Sequence, residues 1–70
     1  MESYIVIELQ TAKSGAVANL VTQYATLPEA ESKYHSVLAA AAVSDLPVHG
    51  AVLMTNSGVT LENRYYEREA

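Results

Sequence analysis

The sequence predicts a small α+β domain, ββαββ in order, with one helix on one face of a four-stranded sheet and residues 1–70 forming a single unit. Three observations carry that prediction. Two runs rich in β-branched residues open the chain. An apolar stripe at helical spacing occupies its middle. Two further strand-like runs flank Asn56-Ser57-Gly58. Strand order is not fixed by these patterns.

The first run, Tyr4 to Gln10, alternates: Ile5, Ile7 and Leu9 share one face, and Tyr4, Val6, Glu8 and Gln10 share the other. Thr11-Ala12-Lys13-Ser14-Gly15 supplies turn residues, with Gly15 able to take positive φ. A second run from Val17 to Ala25 should pair with the first as a hairpin. The helix should begin at Thr26-Leu27-Pro28-Glu29, because Thr26 and Glu29 have capping-box spacing and proline suits a first turn. Leu27 is a rival N-cap, since a residue before proline avoids helical angles.

Ala30, Tyr34, Val37, Leu38, Ala41 and Ala42 then form the apolar stripe, with Glu29–Lys33 and Glu31–His35 as i,i+4 pairs on the wetter side. The four alanines from Ala39 to Ala42 favour helix and let another backbone approach. The helix should stop near Ser44-Asp45, because Pro47 pushes Leu46 into extended geometry. Val48 to Thr55 is almost continuously apolar, as in a strand buried on both faces. Asn56-Ser57-Gly58 reads as a tight hairpin loop with a left-handed glycine, and Val59 to about Glu67 as the last strand. The final residues should fray.

Half of the residues are hydrophobic and 17% are charged, which marks a folded chain. At 70 residues its core is small and some supplement is expected. Disulfides are excluded because there is no cysteine, and two histidines fall short of a structural zinc site. Self-association is the remaining common route. The net charge of −4 opposes attraction to nucleic acid or anionic lipid, so neither nucleic acid nor membrane is an expected partner. The longest wholly apolar stretch, Val37 to Val43, is far short of the roughly 20 residues of a membrane span, and the N-terminus has no basic leader region. Cytoplasm is the expected compartment.

One helix covers one face of a sheet, yet the first and third strands carry apolar groups on both sides. The uncovered remainder should be an interface, in a symmetric homodimer or a ring of dimers, with Tyr4, Val6, Leu53 and Tyr65 as candidate interface residues. The bland counterpart is that tyrosines and long charged side chains fold over scattered apolar positions.

Arg64, Tyr66 and Arg68 recur at a spacing of two on one face of the last strand, with Tyr65 on the other. Two guanidiniums beside a phenol can hold a phosphate or carboxylate, and His49 is a further candidate for that ligand site. Against this stands a plain solvated strand face paired to Glu62 and Glu67. His35 and His49 would serve acid–base chemistry only against a positioned carboxylate. No metal ligands cluster, no nucleophile elbow surrounds a serine, and Gly15, Gly50 and Gly58 are too isolated for a phosphate loop, so no cofactor is expected.

The run ESKYHSVLAAAAVSDLPVHGAVLM, with the opening YIVIELQ, resembles a group of short proteins of Firmicutes genomes and their prophages that has no established activity. The resemblance implies the ββαββ layout and a phage context, and transfers no residue role. Three functional readings follow. The first is a small homo-oligomeric, non-enzymatic accessory protein that binds another protein. The second is an oligomer that sequesters a small anionic metabolite or signalling nucleotide between subunits. The third is a minimal hydrolase or isomerase using a histidine.

Overall fold

The computed structural model describes residues 2–68. Its elements are β1 (Tyr4–Thr11), β2 (Val17–Tyr24), α1 (Leu27–Ala42), β3 (Val48–Thr55) and β4 (Thr60–Glu67), the ββαββ order read from the sequence. Glu69 and Ala70, where fraying was expected, lie outside the described residues.

Local chemistry sets each boundary. Gly15 takes φ +89° in the first turn and donates its N–H to the Ala12 carbonyl at 2.9 Å. Gly58, at φ +97°, closes the second hairpin on the Thr55 carbonyl at 3.0 Å. Thr26 is the N-cap, extended at φ −124° and ψ 150°, and Leu27 is already helical. The Thr26 hydroxyl accepts the Glu29 N–H at 3.4 Å and donates to the Glu29 carboxylate at 2.7 Å. The helix ends at Ala42 with Val43 as C-cap, a little before the expected Ser44-Asp45.

The sheet runs β2-β1-β3-β4, and every neighbouring pair is antiparallel. The two strands with apolar residues on both sides, β1 and β3, are therefore the inner pair. Register decides which residues share a face: Val6 pairs with Leu53 and Glu8 with Ala51, while Ile5 pairs with Met54 and Ile7 with Val52. The helix lies over the first set. Val6, Ala51 and Leu53 meet Ala30, Tyr34 and Val37 in the core, with Tyr4, Tyr24, Leu27 and Leu38 packed around them. Of the four alanines, only Ala41 is buried.

This corrects two of the interface candidates. Val6 is 1% exposed and Leu53 0%, so both are core residues beneath the helix. Tyr4 packs against that core, and of the four only Tyr65 stands free, 65% exposed. Alternation allowed either face of β1 to be the covered one; register puts Val6 on the same face as Leu53, and the helix packs on that face rather than on the one with Ile5, Ile7 and Leu9.

Candidate functional site

The uncovered face has the Ile7–Val52 pair at its centre, with Ile5–Met54 and Leu9–Gly50 on either side. Val21 and Asn19 of β2 flank it on one side, and Asn63 and Tyr65 of β4 on the other. Ile5, Ile7, Val52 and Met54 are half-buried. Among the described strand residues on this face, Glu67 alone is charged. A shallow dent of about 220 Å³ opens where Gly50 lacks a side chain, walled by Leu9, Val52, Asn63 and Tyr65.

The covered face holds a polar cluster that the sequence offered only as separate residues. Glu8 and Gln10 alternate onto the helix side of β1, and register puts His49 of β3 opposite Gln10. His49 Nε2 lies 2.7 Å from Glu8 Oε2, and Gln10 Nε2 donates to the same oxygen at 3.0 Å. The hydrogen bond from His49 holds the Glu8 carboxyl below its ordinary range; partial burial opposes this, and Gln10 and the charges of His49 and Lys33 reinforce it. His49 is 5% exposed, and its Nδ1 is buried with no hydrogen-bond partner among the described residues.

Histidine chemistry required an imidazole against a carboxylate in an enclosed pocket. The pair exists at His49, whereas His35 is exposed and touches Tyr34 edge-on at 5.5 Å between ring centres. A groove of about 210 Å³ between the helix and β2 reaches Glu8, and is lined also by Val6, Leu20, Val21, Thr22 and Lys33, but it stops short of His49. His49 is 5% exposed and its Nε2 is engaged with Glu8.

Arg64, Tyr66 and His49 do share the covered side, with Tyr66 opposite His49. The Arg64 and Arg68 guanidinium carbons stand 5.1 and 5.7 Å from the Tyr66 ring centre. Arg68, however, is engaged elsewhere: Nη2 donates to the Ala41 carbonyl at 2.7 Å and to the Ala42 carbonyl at 2.9 Å. Its backbone N–H donates to Pro47 at 2.7 Å. The last turn of α1 contains no basic residue, so Arg68, just past the end of β4, supplies the positive charge that helix C-termini favour. That missing charge was the sequence signal for Arg68, which was read instead as a candidate ligand residue, against a plain solvated strand face paired to Glu62 and Glu67.

No family model, curated protein or solved structure matches the chain. Among the described residues no group of three metal-ligating side chains occurs, and no helix is long and apolar enough to cross a membrane.

Proposed function

We propose that this chain is a small homo-oligomeric, non-enzymatic interaction protein that works by occupying a surface, with the uncovered sheet face as its contact. One observation carries the reading. The most apolar alternation in the chain, Ile5, Ile7 and Leu9, faces away from the helix and meets Val52 and Met54 there, with charge confined to Glu67. Eight-residue strands at about 3.3 Å per residue, four of them about 4.8 Å apart, span roughly 500 Å² in projection. Side-chain relief raises the accessible area toward the roughly 800 Å² per partner of a standard interface. An accessory role of this kind fits a phage context, since it needs no chemistry beyond a shaped surface.

Sequestration of a small anion has less support. Of its four candidate residues, Arg68 is bound to helix carbonyls and His49 to Glu8, which leaves Arg64 and Tyr66. Sedimentation equilibrium tests the main reading. The wild type should exceed monomer mass, and Val52→Lys, at the centre of the uncovered face, should lower it without loss of circular-dichroism signal. A wild type that stays monomeric at high concentration would remove the proposal.

A further inference from the structure

The two edges of the sheet differ in a way that the uncovered face does not explain. A β-sheet edge presents unpaired N–H and C=O groups, and proteins blunt such edges with charge, proline or bulges. β4 is blunted. It carries Glu62, Arg64 and Glu67, and Leu61 is the extra residue of a bulge, since Leu53 pairs with Glu62 and Met54 with Thr60. β2, VANLVTQY, has none of these devices: no charge, no proline, and unbroken register with β1 from Tyr24 to Val17. Both of its faces are also open, with Leu20 60% exposed on the helix side and Val17 and Val21 66% and 58% exposed on the other.

We infer that β2 is a pairing edge and that a second copy of this chain adds to it, β2 against β2 and antiparallel about a two-fold axis, so that two sheets become one. The occupant follows from charge and shape. The chain has a net charge of −4, yet this edge is neutral, so two copies meet along it without opposing like charges. A two-fold perpendicular to the sheet presents the same antiparallel edge to itself and puts both helices on one side. The groove that now runs beside β2 over Leu20, Thr22, Glu8 and Lys33 then joins its copy as a trough walled by two helices. An isolated extended peptide would satisfy the backbone groups but bring no second wall to cover Leu20. The inference is independent of the contact through the uncovered face, and an assembly using both would be a dimer of dimers.

The test compares three lysine variants of the full chain by sedimentation equilibrium, with folding checked by circular dichroism. Leu20→Lys lies on the helix side of β2, and Val52→Lys on the uncovered face. Ala18→Lys, exposed on the same side of β2 as Leu20, provides a second variant for the edge. Because the chain has no cysteine, Leu20→Cys under mild oxidation reports strand proximity directly. The expected result is that Leu20→Lys and Ala18→Lys each halve the assembled mass and that Leu20→Cys cross-links as a covalent dimer. Edge variants that keep the wild-type mass, with no cross-link, overturn the inference. If Val52→Lys alone lowers the mass, the face contact stands and the edge contact falls. If the edge variants alone lower it, the edge contact stands and the face contact falls.

Discussion

At the scale of single residues, Glu8 keeps its charge beneath the helix because two hydrogen bonds converge on one of its oxygens. Its pKa in the fold lies below the ordinary 4.5, so its contribution to stability is fully present above that value and is lost as the pH falls through the folded pKa. Wild type should therefore lose thermal stability more steeply than Glu8→Gln as the pH falls below the ordinary 4.5. The gap in Tm between them should close at the acid end, and parallel Tm profiles would deny the pair this role. Gly50 is the other residue whose identity is dictated by contact. A Cβ there would lie 2.6 Å from the Arg64 carbonyl oxygen and 2.6 Å from the Tyr65 Cβ. Because one of those atoms is backbone, β3 and β4 would have to separate, and Gly50→Ala should cost about 1–3 kcal/mol in chemical denaturation. Tyr65→Gly in that background should restore only part of the loss, since the carbonyl collision remains. Neither the Glu8–His49 bond nor the Gly50 contact was legible in the sequence: the first joins residues 41 positions apart, and the second depends on how closely β3 and β4 approach within their hairpin.

At the scale of elements, the helix shows how local and distant signals divide. Its start was legible: Thr26, Pro28 and Glu29 form a cap from adjacent residues, and the structure chooses Thr26 over Leu27. Its end is completed from a distance, by Arg68 bonding the carbonyls of Ala41 and Ala42. Arg68→Ala should thus destabilise the fold by about 1–2 kcal/mol and speed amide exchange in the last helical turn. Arg68→Lys, which keeps the charge but loses the planar fork, should recover only part of this. A ligand role for Arg68 without a capping role predicts no change in that exchange. Strand periodicity likewise placed all four strands, and the near-continuous apolar run of β3 pointed correctly to an interior strand. Periodicity of two defines two faces but does not say which one a helix will cover, which is why Val6 and Leu53 were read as interface and proved to be core.

For the whole molecule, the uncovered face of β1 and β3 and the neutral edge of β2 are the two surfaces on which the proposed self-association rests. Self-association that favours the folded state ties stability to protein concentration. The Tm of wild type should accordingly rise across a roughly 100-fold concentration series, whereas a double variant, Leu20→Lys with Val52→Lys, should give a flat line. A flat line for wild type would argue for a monomer whose partner is a different protein. The sequence by itself determined the order of elements, the turns at Gly15 and Gly58, the helix cap at Thr26 and an excess of apolar strand surface, because each follows from neighbours in the chain or from composition. Only the tertiary structure decided where that excess lies. Pairing β1 with β3 in the register that joins Val6 to Leu53 put those two beneath the helix, turned Ile5, Ile7, Val52 and Met54 outward, and left β2 at an edge without protection. Register is set by contacts between residues 37 (Thr11 and Val48) to 51 (Tyr4 and Thr55) positions apart, and no local pattern encodes it.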